Sequence, residues 1–380
     1  MPSLNLDRKI GIVTWDYMNA KGGLGRSVQW IANALRAGGI SVTVAAPRVD
    51  DANDVSLLPG TQSLPVGHLL FSLLLPFRIQ SFLRCARCHI LLLPSGPGGV
   101  FLWKRPRGVK IIVLAYHTYA QQARLVPGQW WKGIFVPLEC RTYRMADRVL
   151  CFCEETARVL RDNYGLNPNR IHVLPHAVDI EAWRGGEDKK EEGLCVCVAR
   201  LERRKGVEVL LRAWSQIIAR IPNARLVIVG RGYEKKKIDR LMQKAGGSVI
   251  RKESLLQEEL RSLVACASVV VCPSHLEGFG LSAAEAMAAG TAIVASDCDG
   301  LRSLIRNNET GLLVTPGDPK ALADGILRLL SDPKLRHRLA AAAQEEAKKR
   351  FDPMKANIEL LTCCILFPCV SALSAPRSLS

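Results

Sequence analysis

The sequence predicts an α/β protein of two doubly wound domains facing each other across a cleft. Three observations carry this. Short apolar runs alternate with amphipathic runs through both halves of the chain. The alternation is interrupted by a charged, glycine-bounded stretch, Arg184 to Gly193, that has no apolar periodicity. And 380 residues suffice for two cores of ordinary size. The expected layout is a first domain over 1–183, a linker over 184–193, a second domain over 194–345 and a C-terminal segment over 346–380 whose tail is apolar from residue 360.

The elements follow in order. Lys9 to Thr14 reads as a first strand, and Val28, Ile31, Ala32 and Leu35 recur at helical spacing after a glycine loop, Gly22-Gly23-Leu24-Gly25. Ser41 to Ala46 is the second strand, which makes a β-α-β opening and implies a parallel sheet. A Leu-rich helix over Pro65 to Leu83 covers that sheet. Further strands are Cys88 to Leu93, Lys110 to Ala115, Arg148 to Cys153 and Ile171 to Leu174, with a helix from Glu154 to Tyr164. The pattern restarts at Leu194 to Ala199. A helix covers Val207 to Ala219, a strand Ala224 to Val229, a helix Lys235 to Lys244 and a strand Val249-Ile250. The helix Leu260 to Ala265 precedes the strand Ala267 to Cys272. Strands at Ala292 to Ala295 and Gly311 to Val314, then helices at Pro319 to Leu330 and Pro333 to Lys349, complete the second half.

Two motifs are tempting and are set aside. Gly23-Leu24-Gly25 starts a dinucleotide fingerprint, but Val28 stands where the third glycine belongs and the strand-to-loop distance is too long for the tight turn. Cys85-Ala86-Arg87-Cys88-His89 matches a haem-attachment pattern, yet it runs straight into an apolar strand.

Composition bounds the setting. Apolar residues make up 48% and charged residues 23%, which is the balance of a folded soluble domain rather than a disordered one. The net charge of +17 is concentrated: Arg78 to Arg148 holds twelve Lys/Arg against Glu139 and Asp147, interleaved with Phe101, Trp103, Trp130, Trp131 and Phe135. Such a region suits nucleic acid, an anionic membrane surface or an anionic small substrate. Thirteen cysteines without an apolar leader lead us to expect free thiols and a cytoplasmic setting, with a peripheral contact to the inner face of a membrane.

The chemistry concentrates after strand Ala267 to Cys272. Glu277-Gly278-Phe279-Gly280 precedes an Ala-rich helix containing Glu285, so two carboxylates lie about two helical turns apart beside backbone N–H groups suited to an anion. Arg200 and Lys205 follow one neighbouring strand, and Gly230 and Gly232 another. Two fixed cations with free N–H groups suit a diphosphate, and an ionised carboxylate can accept from two sugar hydroxyls. His117 lies just past a strand's carboxyl end, where open α/β sheets place ligands.

This combination resembles the retaining nucleotide-sugar glycosyltransferases of the GT-B fold, and specifically family 4 (glycosyl transferases group 1). The resemblance rests on Val198-Ala199-Arg200-Leu201 with Lys205-Gly206, on Val229-Gly230-Arg231-Gly232, and above all on Glu277-Gly278-Phe279-Gly280 with Glu285-Ala286-Met287-Ala288-Ala289-Gly290. It runs from about residue 9 to about 355. It implies two Rossmann-like domains and transfer of a sugar from a nucleotide diphosphate sugar, such as a UDP- or GDP-sugar, with no metal or other cofactor. By the same resemblance the acceptor is a glycan, a lipid-linked or a small molecule, the setting is cell-envelope or glycoconjugate synthesis, and no nucleic acid partner is expected. It implies that Arg200 and Lys205 hold the donor diphosphate, that Glu277 grips the donor sugar and Glu285 the ribose, and that His117 sits beside the transferred sugar. Gly23, Gly230, Gly232, Gly278, Phe279, Gly280 and Leu281 complete the donor site. Retention is expected to proceed by front-face attack, the leaving phosphate helping to deprotonate the acceptor.

The chain departs from the family pattern in three places. His176-Ala177 replaces the usual Asn-Gly, and Ser303 takes the place of a glutamate near the donor. The family's closing helix returns to the first domain, but the tail from Leu360 lacks a polar face and contains Pro368. It reads either as a membrane-touching segment or as the product of a shifted reading frame. The alternatives to a glycosyltransferase are another GT-B enzyme, a phosphorylase or an epimerase, and a non-catalytic basic protein that binds membranes or polyanions.

Overall fold

The structure is a computed structural model, and it describes residues 8–17, 23–49, 51–61, 67–174, 176–184 and 190–365. Gly22, the residues 185–189 of the expected linker, and the end of the tail from 366 on, Pro368 included, lie outside the described residues.

The first half carries a seven-stranded parallel sheet. Its strands are β1 (Ile10–Val13), β2 (Val42–Ala46), β3 (Val55–Ser56), β4 (Ile90–Ser95), β5 (Lys110–Ala115), β6 (Arg148–Cys151) and β7 (Ile171–Val173), in the spatial order β3-β2-β1-β4-β5-β6-β7. The helices between them are α1 (Gly23–Ala37), α2 (Gly67–Cys85), α3 (Tyr119–Leu125), α4 (Val136–Met145), α5 (Glu154–Asp162) and α6 (Ile180–Trp183). The second half carries six parallel strands: β8 (Glu191–Val198), β9 (Arg225–Val229), β10 (Val249–Lys252), β11 (Ala267–Cys272), β12 (Ala292–Ser296) and β13 (Leu312–Val314), ordered β10-β9-β8-β11-β12-β13. Its helices are α7 (Val207–Arg220), α8 (Lys235–Ala245), α9 (Gln257–Cys266), α10 (Leu281–Ala288), α11 (Asp299–Leu304), α12 (Pro319–Ser331), α13 (Pro333–Arg350) and α14 (Pro353–Ile365). Both sheets thus repeat one doubly wound order, with the topological switch between β1 and β4 in the first and between β8 and β11 in the second.

Burial explains why the strands read as unbroken apolar runs. Ile10, Ile12, Leu92, Ile112 and Leu114 point to one face of the first sheet, and Val13, Leu91, Leu93, Ile111 and Val113 to the other, and both faces are covered. The inner apolar cluster continues from the first half into the second through Val178, Trp183, Phe279 and Phe351. A separate cluster centred on Trp214 fills the outer face of the second sheet.

Two expectations change. Glu191, Glu192 and Gly193, placed in the linker, form the start of β8, where Glu191 pairs with Ala267 of β11. The strand begins earlier than its apolar stretch because a charged residue at a strand entry can reach solvent. The C-terminal segment is also helical further than its composition suggested. In α14, Ala356, Leu360 and Cys364 recur every four residues and are buried, and Leu361 packs on Gly38 at the end of α1. Trp30 Nε1 of α1 donates to Asn357 Oδ1 at 3.2 Å. The seam is set from Ala356 onward, so a reading that started at Leu360 missed half of it. No helix among the described residues is long and apolar enough to cross a membrane. The twelve described cysteines are free.

Candidate active site

The carboxyl ends of both sheets face one cavity of about 550 Å³. A second hollow of about 540 Å³ lies between α5, β7 and α14, so volume does not choose between them; the lining chemistry does. The larger one takes its wall from the segments that leave β8, β9, β10 and β11 on one side, and from the start of α1, the β4 and β5 exits and His176 on the other. These are the strand ends flanking the two switch points, where doubly wound sheets hold ligands.

Three basic residues meet just after β8. Arg203, Arg204 and Lys205 form a single 3-10 turn, which turns Arg203 outward and Arg204 and Lys205 inward. Gly206 closes that turn at φ +64°, and its Cα lies so close to the Pro273 carbonyl that a Cβ would overlap it. That approach puts Lys205 against Glu277. The Lys205 ammonium bonds Glu277 Oε1, Arg204 Nη1 lies 3.3 Å from Glu277 Oε2, and the Ser274 hydroxyl donates to Oε1 at 3.0 Å. Burial alone would raise the Glu277 carboxyl; Lys205, Arg204 and Ser274 outweigh it and hold the pKa at about 2. Arg200 Nη1 is 2.9 Å from Glu202 Oε1, and the cations around Glu202 likewise overcome its burial.

From the first half comes His117. Burial, with Arg204 the strongest of the nearby cations, pushes its pKa well below the usual histidine range, so the imidazole is neutral. Its Nε2 is buried and has no partner among the described residues, and the same holds for Ser95 Oγ on the neighbouring strand exit. Both residues line the cavity, and each carries a buried polar atom that is unsatisfied. The turn that presents His117 is fixed from behind by Glu139, which accepts from Tyr119 N at 2.9 Å, Tyr143 Oη at 3.3 Å and Tyr164 Oη.

Ten of the twelve residues expected at the site line this cavity: His117, Arg200, Lys205, Glu277, Gly23, Gly230, Gly278, Phe279, Gly280 and Leu281. Two do not. Gly232 packs its Cα on the backbone of Leu201, so its lack of a side chain serves the fold of the wall. Glu285 is buried one layer back, its Oε1 2.7 Å from Arg26 Nη1 of α1, because a desolvated carboxylate takes the nearest cation. Arg26, Arg204, Ser95 and His176 are lining residues that the sequence reading did not single out. Arg204 was hidden in a run of three basic residues, and only the turn distinguishes their directions. His176 was noted only as a departure. Its Nδ1 lies 2.9 Å from the Ala177 carbonyl, which must accept, so Nε2 accepts from Ser27 Oγ at 2.9 Å. It stacks on Trp30 and Phe279, one from each half.

The halves touch around this cavity. Gly278 lies against the Tyr116 carbonyl, and Gln121 Nε2 donates to Asp299 Oδ2 at 2.9 Å.

Comparison with known proteins agrees with this geometry. The model of the family described as Glycosyltransferase Family 4 matches residues 21–182, and that described as Glycosyl transferases group 1 matches residues 179–346. The chain belongs to glycosyltransferase family 4. The family 4 chain is 36% identical over 224 residues to D-inositol 3-phosphate glycosyltransferase of Acidothermus cellulolyticus, covering 54% of this chain and 50% of that one. The chain spans about half the length of the first curated relatives that it matches. It is 29% identical over 361 residues to phosphatidyl-myo-inositol mannosyltransferase of Mycobacterium leprae, covering 90% of this chain and 93% of that one. Its fold superposes on sucrose-phosphate synthase from Thermosynechococcus elongatus with a TM-score of 0.80 at 21% identity, over 93% of this chain and 97% of the other. The fold is GT-B, two Rossmann-like domains across a cleft.

Proposed function

We propose that this family 4 protein transfers a sugar, with retention, from a nucleotide diphosphate sugar held by the second half to an acceptor hydroxyl held by the first. The observation that carries this reading is the charge arrangement at the cavity wall. The cavity lining carries Arg26, Arg200, Arg204, Lys205 and Arg231 against Asp16, Glu253 and Glu277, five cations against three carboxylates. The N-termini of α1 and α10 point at the same place. That excess suits a doubly charged diphosphate and its increase of charge on leaving. Arg200 and Lys205, with Arg204 beside them, would hold the phosphates and stabilise the departing nucleotide. Glu277, held ionised by those same cations, would accept from donor-sugar hydroxyls. The neutral His117 imidazole, with an unsatisfied Nε2, would bond the transferred sugar. No carboxylate of the first half is needed as a nucleophile if the leaving phosphate takes the acceptor's proton.

The acceptor is proposed to be anionic and presented at a membrane. Two relatives are named for inositol phosphate acceptors, one of them lipid-linked, and the first half offers a matching surface. Leu73 and Phe77 of α2 and Trp130 and Ile134 of the 3-10 turn Trp130–Phe135 are exposed, Phe77 at 81%. Gln129, just before that turn, donates its Nε2 to Tyr233 Oη of the second half at 3.4 Å, so the aromatic surface borders the junction of the two halves. Setting and location follow from this: synthesis of a cell-envelope lipid or glycan at the cytoplasmic face of a membrane.

A thermal-shift screen of UDP-, GDP- and ADP-sugars, followed by measured release of free nucleoside diphosphate with inositol 3-phosphate or phosphatidylinositol vesicles, tests the reading. One nucleotide class should stabilise the protein, and its release should depend on acceptor. A flat response to all donors would defeat the donor site, and turnover that depends on inorganic phosphate would favour a phosphorylase.

A further inference from the structure

Of the five cations on the cavity wall, four have a carboxylate partner in their own half, and Arg26 has its partner across the cleft. Arg26 stands on the first turn of α1, and its guanidinium reaches Glu285 of α10 at 2.7 Å. About a third of the Arg26 side chain is exposed to the cavity, whereas Glu285 is buried behind it. The beginnings of the two helices meet there, with Leu281 Cδ1 within van der Waals reach of Gly23. On the facing wall stand Lys205, Arg204 and Arg200. Burial raises the Glu285 carboxyl and Arg26 opposes that rise, so this carboxylate depends on a cation that belongs to the other half.

We propose that Arg26 is a donor-phosphate ligand supplied by the first half, stored on Glu285 until the donor's ribose displaces it. The inference rests on the donor-site reading above. A buried carboxylate gives up a guanidinium only in exchange for other donors, and a ribose diol brings two O–H groups. The released guanidinium stays on the cavity wall, opposite the cations of the second half, and its planar fork matches two phosphate oxygens. Ribose recognition by Glu285 thereby frees a cation for the diphosphate, and the donor replaces a direct link between the halves with one through itself.

Titration calorimetry on the full chain tests this with wild type, Arg26→Gln, Arg26→Lys and Glu285→Gln. The Gln variant at 26 keeps a donor for Glu285 and removes the charge. The probes are the nucleoside diphosphate that wild type selects among UDP, GDP and ADP, the matching nucleoside, and inorganic pyrophosphate. Arg26→Gln should weaken the nucleoside diphosphate by roughly tenfold or more, since a charge-assisted bond is lost, and pyrophosphate less, since without a ribose Arg26 stays on Glu285. Nucleoside affinity should hold or rise, because Glu285 is easier to reach. Arg26→Lys should recover part of the phosphate affinity, and Glu285→Gln should weaken the nucleoside more than pyrophosphate. Unchanged diphosphate affinity in Arg26→Gln overturns the proposal. An equal loss for all three probes also overturns it, because that pattern reports a distorted wall. Wild type that binds none of the three nucleotides would instead bring down the donor-site reading itself.

Discussion

Lys205 is held by Glu277 and stands beside Arg204, and on the proposed donor-site reading it stands where charge would develop on a leaving diphosphate. Lys205→Ala should lower the rate of transfer by about a hundredfold or more, with a smaller effect on donor affinity. Steady-state kinetics that show unchanged turnover would remove it from the mechanism. His176 makes a different, pH-dependent prediction. Burial, opposed by the Ala177 carbonyl and reinforced by Arg26, lowers its pKa to about 4. The unfolded chain binds a proton near pH 6.5 and the folded one does not, so stability is complete above about 6.5 and falls as pH drops toward 4, by up to about 3 kcal/mol. Denaturant midpoints at pH 7 and 5 should show a steeper acid loss in wild type than in His176→Asn; parallel slopes would count against it. The sequence marked His176 only as a family departure, because its partners Ser27, Trp30 and Phe279 are 149, 146 and 103 residues away.

At the scale of elements, most strands and helices were legible because each strand is buried on both faces and each helix carries an apolar stripe. Lys110 to Ala115 and Ala267 to Cys272 match the observed strands at both ends. The helices α3, α4 and α11 were not read. They are short, and their hold is tertiary: α3 is capped by a Thr118–Gln121 capping box, and α4 buries Glu139 against tyrosines of α4 and the α5 exit. The loops between elements carry the geometry. In Gly278→Ala the new methyl would overlap the Tyr116 carbonyl of the other half, so the loop after β11 must shift. The expected result is a loss of about 1–3 kcal/mol of stability together with a drop of at least tenfold in transfer. Gly247→Ala, which enters open space, is the control and should change neither. Melting curves and initial rates measured on both variants decide it.

At the scale of the molecule, the proposed membrane contact combines the net charge of +17 with the exposed aromatic edge of the first half. Sedimentation with vesicles should show binding to anionic but not to neutral lipid, weakening with salt as surface charges are screened. Replacing Phe77 and Trp130 by Ser should release the protein from anionic vesicles while transfer to a soluble acceptor continues. Vesicle binding that survives the substitutions would place the contact elsewhere. Composition announced a basic and aromatic region; only folding showed that α2 and the 3-10 turn at 130–135 expose apolar side chains.

The sequence alone determined the class of fold and the chemical inventory, because buried parallel strands and helical stripes are local patterns and Glu277, Arg200 and Lys205 sit at fixed offsets from strand ends. The partnerships were decided by the tertiary structure. Which two of three consecutive basic residues face inward depends on one 3-10 turn. That Glu285 rests on Arg26, 259 residues away in the chain, depends on the approach of the two halves. Such pairings belong to no local pattern; they follow from the distance between strand ends once both sheets have packed.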